Sequence, residues 1–223
     1  MKSENSLLAS KFSHIYIENA VLNHPLTKQV SDRFKDSTKV LIKHYKDVFN
    51  RPGQDFQLQK RTFKLILAGR KENFLYPGPD ICQDFGNKHF FYASSLLNCL
   101  YNCDYCYLQG MYPSANIVAF VNIEDFFDAV NKELAKKPLY LTLSYDSDML
   151  AFENIIPFTS MWIGFAAQNP DIKIEIRTKS ANYAAISSQR PLDNIILAWT
   201  LSPEPVIVKY EKYAPSLSVR LEA

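Results

Sequence analysis

The chain is organised around the stretch Asn98-Cys-Leu-Tyr-Asn-Cys-Asp-Tyr-Cys-Tyr-Leu-Gln109, which holds three of its four cysteines. Cys99, Cys103 and Cys106 stand in the spacing Cys-x-x-x-Cys-x-x-Cys. Three thiolates this close together suit a loop around a cubane iron–sulfur cluster, in which the protein holds three irons and leaves the fourth open. An open iron can bind a substrate or a cofactor. The pattern therefore indicates a reactive centre more than a structural one.

Around this stretch, four short apolar segments predict the strands of a parallel sheet: residues 90–94, 139–144, 172–178 and 194–200. Helices are predicted at residues 122 to about 136, with Asn122 as N-cap, and at 157–168, 205–213 and from 216 onward. Strands that alternate with helices form βα units, and the functional groups of such folds lie at the carboxyl ends of the strands. We therefore predict an α/β fold, an incomplete (β/α) barrel of about four βα units, over residues 81–223.

Residues 1–80 form a small α+β region in this interpretation. Residues 13–17 predict a short strand, and the apolar spacing over residues 26–48 predicts an amphipathic helix. Residues 57–67 fit either a helix or a strand. Tyr76-Pro-Gly-Pro-Asp80 is a strong breaker of regular structure, so we place the boundary between the two regions there.

The composition is that of a globular protein of 223 residues, 47% of them hydrophobic. No apolar run reaches the ~20 residues that span a bilayer, and the first residues show no secretory core. We therefore expect a cytoplasmic protein with reduced cysteines. Residues 1–80 carry 14 Lys and Arg against 8 Asp and Glu, and the remainder 11 against 15. A basic first region is compatible with a phosphate backbone, although dispersed charges are more typical of a solvated surface.

A structural metal site is the competing interpretation of the cysteines. Zinc prefers four tetrahedral ligands, usually from two Cys-x-x-Cys pairs. The chain has one such pair, Cys103 and Cys106, so Cys99 and the distant Cys82 would have to complete the site. A zinc ion or a closed cluster would make the chain a non-catalytic metal-binding module, with or without contact to nucleic acid. Three closely spaced thiolates fit an iron–sulfur cluster better.

The cysteine spacing, following the first strand of a βα series and with Tyr105 between the second and third cysteines, resembles that of radical S-adenosylmethionine enzymes. The flanks narrow this resemblance to the spore photoproduct lyase family. The segments that resemble it run through most of the chain: Tyr16-Ile-Glu18, residues 26–34, Lys60-Arg-Thr62, Tyr105-Cys-Tyr-Leu-Gln109, Val118-Ala-Phe-Val-Asn122, Lys209-Tyr-Glu211, Ala214-Pro-Ser-Leu217 and Arg220-Leu-Glu-Ala223.

The resemblance implies a DNA-repair lyase that uses a 4Fe–4S cluster and S-adenosylmethionine. Its substrate would be a methylene-bridged thymine dimer formed in DNA by ultraviolet light. In the family, a 5′-deoxyadenosyl radical takes a hydrogen atom from the dimer, the bridge breaks, and a cysteine returns a hydrogen atom. The resemblance further implies an electron donor such as flavodoxin or ferredoxin, and no membrane partner.

Carried over residue by residue, the resemblance assigns Cys99, Cys103 and Cys106 as cluster ligands. Four further residues match positions that lie near S-adenosylmethionine in the family: Ser147, Asp148, Lys179 and Thr200. Each of them follows or ends a predicted strand. Tyrosines near the cluster that take part in radical return are matched by Tyr105 and Tyr107. Each residue alone has an ordinary explanation, such as Asp148 as a helix N-cap, but their common position at successive strand ends favours a cofactor site.

Two features depart from the family. Its hydrogen-donor cysteine lies two residues before the Ser-Asp pair, where this chain has Tyr145. A phenol can also give up a hydrogen atom, and Cys82 is either a second candidate donor or an ordinary buried thiol. The family's barrel continues for two more βα units and a hairpin, so we expect a C-terminally truncated member. These departures leave two alternatives open: a relative with another substrate, or an inactive truncated protein.

Overall fold

A computed structural model of the protein describes residues 12–223, and the first residues, on which the expectation about export rests, lie outside this range. In chain order the strands are β1 (His14–Glu18), β2 (Thr38–Ile42), β3 (Leu65–Ala68), β4 (Tyr76–Pro77), β5 (Phe90–Tyr92), β6 (Leu96–Leu97), β7 (Asn102–Cys103), β8 (Ile117–Phe120), β9 (Leu139–Thr142), β10 (Ile172–Thr178), β11 (Ile195–Trp199) and β12 (Glu211–Lys212). The helices are α1 (Pro25–Arg33), α2 (Lys46–Phe49), α3 (Phe56–Gln59), α4 (Leu108–Met111), α5 (Ile123–Leu134), α6 (Met149–Phe152), α7 (Phe158–Gln168), α8 (Glu204–Tyr210) and α9 (Leu217–Leu221).

One sheet, which we call the C-terminal sheet, has the order β11-β10-β9-β5-β4. Strands β5, β9, β10 and β11 are parallel neighbours, and β4 runs antiparallel to β5. In the central row of this sheet Phe91 pairs with Leu141, Leu141 with Ile174, and Ile174 with Ile195. The four predicted strands are therefore confirmed as four neighbouring parallel strands, the arrangement expected of a partial barrel.

The other sheet, the N-terminal sheet, has the order β2-β1-β3-β8-β6. Strands β2, β1, β3 and β8 are parallel, and β6 runs antiparallel to β8. Every residue of β3 and β8 is fully buried, as is typical of central parallel strands. This second parallel sheet was not predicted, since β1 was the one strand of it that the sequence indicated without an alternative.

The predicted boundary at residue 80 is crossed by two strand pairs. In the N-terminal sheet, β3 pairs with β8, and in the C-terminal sheet, β4 pairs with β5. A single cluster of buried apolar side chains contains residues from both sides of this position, such as Ile15 and Ile174. The division into residues 1–80 and 81–223 stays a prediction, and any assignment of domains has to accommodate these shared sheets.

The predicted helix over residues 26–48 is wrong in its second half. Helix α1 begins with Pro25 at its first position and ends at Arg33, because Phe34 leaves the helical conformation. Thr38–Ile42 then forms β2, an edge strand whose side chains are mostly exposed. Its apolar residues happen to continue the helical spacing, which hid the strand. The ambiguous segment 57–67 contains both alternatives, since its start belongs to α3 and its end to β3.

Helix α5 follows the prediction closely, although its first turn is held differently. Its buried residues Ile123, Phe126 and Val130 recur at helical spacing and face the core. Asn122 stands at the N-cap but does not cap the helix with its side chain; instead its amide exchanges hydrogen bonds with the backbone of Arg70, at 2.8 and 2.7 Å. In the part of the chain that the structure describes, no helix is long and apolar enough to cross a membrane.

The central position of Ile174 gives a test of the fold. Ile174 is 0% exposed in β10, whereas its neighbour Lys173 is exposed. Ile174→Ala is expected to lower the free energy of unfolding by about 2–5 kcal/mol, since it removes buried methyl groups and leaves a cavity. Lys173→Ala on the same strand should change it by less than about 0.5 kcal/mol. Urea denaturation measures both, and equal effects would contradict this register.

Candidate active site at the cysteine loop

The carboxyl ends of three parallel strands of the C-terminal sheet meet the cysteine loop around one cavity. Strand β5 leads towards the cysteine loop, residues 98–107, and β9, β10 and β11 end just before Ser144, Lys179 and Thr200. The residues assigned as cluster ligands, as neighbours of S-adenosylmethionine or as reactive tyrosines all line this cavity: Cys99, Cys103, Tyr105, Cys106, Tyr107, Tyr145, Ser147, Asp148, Lys179 and Thr200. Their common position follows from the parallel topology, because the carboxyl ends of parallel strands lie at one edge of a sheet.

The cysteine loop begins with an unusual backbone conformation. Asn98, just before Cys99, has φ of 67°, in the left-handed region that asparagine adopts more readily than most residues. Its side chain is fully buried, and its amide donates to the carbonyls of Ser114 and Asn116 at 2.6 and 2.8 Å. These bonds fix the point at which the chain turns from β6 into the cysteine loop.

Lys60 lies beneath the loop and holds two of its carbonyl groups. Its ammonium donates to the backbone oxygens of Cys99 and Tyr101, at 2.5 and 2.7 Å, and the residue is 5% exposed. Burial lowers the pKa of Lys60, and the neighbouring cysteine thiols oppose that effect. A buried cation next to three thiols provides charge compensation for an anionic group in the loop.

The cysteines are free thiols and fit an iron–sulfur cluster better than a single ion. Burial raises the pKa of the Cys99 thiol to about 12 and also raises the pKa of Cys103, so binding a metal has to displace their protons. Among residues 12–223, no group of three or more His, Cys, Asp and Glu side chains is arranged around a single metal ion. A cubane offers a different iron to each thiolate, so the three sulfurs need not converge on one point.

The fourth cysteine does not complete a metal site in this arrangement. Cys82 lies outside the lining of the cavity at the cysteine loop, and its sulfur contacts the hydroxyl of Tyr145 instead. Either atom of this contact can be the donor. The four-cysteine zinc site is therefore not assembled within the described part of the chain.

Glu211 connects the cysteine loop to the last segments of the chain. Strand β12 pairs antiparallel with β7, so that Glu211 lies opposite Cys103. Its buried carboxylate accepts hydrogen bonds from Tyr105, from Ser202 at 2.9 Å and from Arg220 at 2.5 Å. Burial alone would raise the pKa of Glu211, but these hydrogen bonds and the charge of Lys179 lower it to about 2. The residue is therefore a carboxylate at neutral pH.

Arg220 on α9 completes this arrangement. It is 2% exposed, and besides Glu211 it donates to the carbonyls of Pro215 and Thr200, at 2.9 and 3.0 Å. Thr200 follows β11, so a single guanidinium ties the last helix to both the carboxylate behind the cysteine loop and the end of a sheet strand. Its planar fork of donors suits three simultaneous acceptors.

Lys179 points its ammonium towards the cysteine loop. The Nζ atom lies 2.7 Å from the Tyr105 hydroxyl, 3.4 Å from a carboxylate oxygen of Glu211 and 3.7 Å from the sulfur of Cys103. Lys179 is half-buried and lines the cavity. A cation in this position can pair with a carboxylate that enters the cavity, as the resemblance implies.

Asp148 has a clear structural role. Its carboxylate caps α6 by accepting from the backbone of Ala151 at 3.1 Å, and it also accepts from the Thr178 hydroxyl and the Lys179 backbone, both at 2.7 Å. Burial raises the pKa of Asp148 although these hydrogen bonds oppose the shift. Asp148 thus holds the segment after β9 against the end of β10, and both Asp148 and the neighbouring Ser147 line the cavity.

The tyrosines of the site form a connected group. Tyr107 donates its hydroxyl hydrogen to the backbone carbonyl of Tyr145. The ring of Tyr145 is stacked on that of Tyr92, with centroids 4.5 Å apart, and Tyr92 is stacked on Tyr76 at 5.0 Å. Stacking on Tyr92 therefore fixes the ring of Tyr145 and, with it, the hydroxyl group that contacts Cys82.

Lys60, Asn98, Glu211 and Arg220 are functional residues for which the sequence predicted no role. All but Asn98 stood in segments quoted for the family resemblance, and Asn98 opened the cysteine-rich stretch, so a signal was present at each position. What was absent was any indication of contact, because Lys60 reaches the cysteine loop from 39 residues away in the sequence and Glu211 reaches Tyr105 from 106 residues away.

The chain is similar in sequence to a protein family and to a curated relative, and similar in fold to solved structures. The family model described as "Spore photoproduct lyase" matches residues 11–223. The curated spore photoproduct lyase of Bacillus subtilis (strain 168) is 23% identical over 221 residues, which covers 94% of this chain and 61% of that protein. The chain thus spans about three fifths of the curated relative.

Solved structures share the fold. A spore photoproduct lyase complexed with dinucleoside spore photoproduct matches with a TM-score of 0.82 at 18% identity, over 94% of this chain and 62% of the other. A variant of spore photoproduct lyase with bound AdoMet and dinucleoside spore photoproduct matches with a TM-score of 0.80 at 19% identity, over the same shares.

The buried pair of Arg220 and Glu211 predicts a large effect on stability. Arg220→Met keeps much of the side-chain volume but leaves the Glu211 carboxylate buried without its guanidinium. Breaking a buried pair in this way is expected to lower the free energy of unfolding by about 3–5 kcal/mol. The exposed Arg190 offers a matched control, and Arg190→Met should change it by less than about 0.5 kcal/mol. Urea denaturation of both variants is the measurement, and a small loss for Arg220→Met would refute this role.

Proposed function

Because the chain belongs to the spore photoproduct lyase family, we propose that it is a radical S-adenosylmethionine lyase that repairs the methylene-bridged thymine dimer in ultraviolet-damaged DNA. A 4Fe–4S cluster would be held by Cys99, Cys103 and Cys106. S-adenosylmethionine would bind in the cavity beside them. The main support is the meeting of three free thiols, a lysine and the polar ends of three strands around this cavity.

When bound, the cluster and S-adenosylmethionine would supply the radical chemistry that removes a hydrogen atom from the substrate. The protein's own residues would orient S-adenosylmethionine and compensate the negative charge of the thiolates. Lys60 offsets the negative charge of the thiolates from below the cysteine loop. Lys179 is available to pair with the carboxylate of S-adenosylmethionine. Tyr105 and Glu211 hold the ammonium group of Lys179 in place. Ser147 and Thr200 offer hydroxyl groups at the cavity wall.

We assign the return of a hydrogen atom to Tyr145. Its O–H bond breaks as hydrogen passes to the substrate radical, which leaves a phenoxyl radical on Tyr145. The Cys82 thiol, in contact with this oxygen, can then pass its own hydrogen atom to the phenoxyl group. One electron from the electron-donor protein and one proton from solvent restore the thiol. Tyr145 occupies the position of the family's donor cysteine, so the contact with Cys82 keeps a thiol within the relay.

The partners follow from the same reaction. DNA carrying the thymine dimer is the substrate, and a flavodoxin or ferredoxin is the source of single electrons. The cytoplasm, where thiols stay reduced and DNA is present, is the location that suits both.

The cluster assignment is tested by metal content. After anaerobic reconstitution with iron and sulfide, the wild-type chain should bind close to four irons and four sulfides. With dithionite it should cleave S-adenosylmethionine to 5′-deoxyadenosine and methionine. Cys106→Ala is expected to lose most of the bound iron and sulfide, since one ligand is gone. Cys82→Ala, the matched control, should keep both. One zinc per chain without iron uptake would instead favour the non-catalytic metal-binding module.

The hydrogen-return step is tested by product yield. With dinucleoside spore photoproduct as substrate, Tyr145→Phe should lower the thymine formed per 5′-deoxyadenosine by roughly a hundredfold, the scale of losing a positioned hydrogen-transfer group. Tyr183→Phe, an exposed tyrosine outside the cavity lining, is the control and should leave that ratio unchanged. An unchanged ratio in Tyr145→Phe would reject Tyr145 as the donor. Cleavage of S-adenosylmethionine without any thymine from the wild type would point to a relative with another substrate.

A further inference from the structure

A second cavity lies at the carboxyl ends of strands from both sheets. It is lined by the residues that follow β2, β3, β5 and β9 and by the end of β8. Ligands of parallel α/β folds bind at this edge of the sheet, in the crevice that the strand ends create. The proposed lyase chemistry uses only the cavity at the cysteine loop, so this second cavity has no assigned role.

The loops around the second cavity are held in place by two buried polar side chains. Glu18, at the end of β1 and 2% exposed, accepts from the backbone of Tyr45 at 2.5 Å and of Gly69 at 3.0 Å. Asn122 binds both backbone groups of Arg70. Both residues stand in segments quoted for the family resemblance, and the reaction gives neither a task. Such support from behind a loop is typical of a preformed binding site.

The walls of the second cavity are aromatic. They include Tyr45, Tyr76, Tyr92, Tyr112 and Phe120. Tyr76 and Tyr92 are stacked on each other, and Tyr92 is stacked in turn on Tyr145, which lines the cavity at the cysteine loop. The stacked rings of Tyr92 and Tyr145 therefore connect the walls of the two cavities. Aromatic walls of this kind offer stacking surfaces for nucleic acid bases.

The rim and the floor of the second cavity carry opposite charges. Basic side chains of His44, Lys46, Arg70 and Lys71 line it, together with Glu72, and the two lysines are exposed. On the buried side lies Asp146, 7% exposed, whose carboxylate accepts from the hydroxyls of Ser94 and Tyr112. Cations at the mouth suit phosphate groups, and a carboxylate among aromatic rings suits the amino edge of a base.

From this arrangement we propose that the second cavity binds one nucleotide of single-stranded DNA beside the lesion, with the base against the tyrosines and Asp146 and the phosphates at Lys46 and Lys71. The inference rests on the proposed function in that DNA is the substrate. It adds a place on this chain where the strand next to the damage is held.

The test is binding of fluorescein-labelled single-stranded oligo-dC, followed by fluorescence anisotropy with the chain free of iron, sulfide and S-adenosylmethionine. The double variant Lys46→Glu, Lys71→Glu is expected to weaken binding by about tenfold or more at low salt. It should also reduce the slope of log K against log salt by about 1.4, since each phosphate contact to a single strand contributes about 0.7. Lys132→Glu, at an exposed lysine on α5, is the control for a charge reversal away from the second cavity and should change affinity by less than twofold.

The floor is tested with the conservative variant Asp146→Asn. The wild-type chain should bind oligo-dC more tightly than oligo-dT, because the carboxylate accepts from the cytosine amino group, and this preference should be lost in Asp146→Asn. Equal effects of the double variant and Lys132→Glu, or equal binding of the two oligonucleotides by the wild type, would overturn the inference. Cleavage of S-adenosylmethionine is measured separately, so failure of the proposed lyase chemistry is recognised independently of these outcomes.

Discussion

The hydrogen bonds to the Glu211 carboxylate determine the position of the cysteine loop. This one buried carboxylate accepts hydrogen bonds from Tyr105 in the loop, from Arg220 in the last helix and from Ser202 in the segment after β11. Glu211 and the charged Arg220 are buried together, so displacing either one breaks a buried ion pair, at a cost of several kcal/mol. The geometry of the thiols is therefore coupled to segments more than a hundred residues further along the chain.

Much of the fold could be predicted from local sequence, and the errors have two physical causes. The strands of the C-terminal sheet were found because each is a short run of apolar or alternating residues that ends in polar groups, as in Ile172–Thr178. Thr38–Ile42 was missed because it is an edge strand: most of its side chains are exposed, so burial placed no pattern on them. Pairing between distant segments, such as β3 with β8, leaves no local signal at all.

The candidate site could be predicted in part for a topological reason. Parallel strands bring their carboxyl ends to one edge, so residues just after each strand, such as Lys179 and Thr200, had to lie near the cysteine loop once the strands were known. Lys60, Glu211 and Arg220 follow no such rule. They act from helices, from short strand pairs and across long sequence distances, and only the folded structure shows that their charges meet the loop.

In the proposed reaction, Tyr145 would return a hydrogen atom in place of the cysteine that the family resemblance implies. Returning a hydrogen atom requires an O–H or S–H bond of suitable strength near the substrate, whichever side chain carries it. The strand end after β9 supplies the phenol, and the loop before β5 brings the sulfur of Cys82 to it. The ring of Tyr145 is fixed by stacking on Tyr92, and Tyr92 also forms part of the wall of the second cavity. A tyrosine donor at residue 145 would therefore also constrain the neighbouring surface, because its hydroxyl contacts Cys82 while its ring stacks on Tyr92.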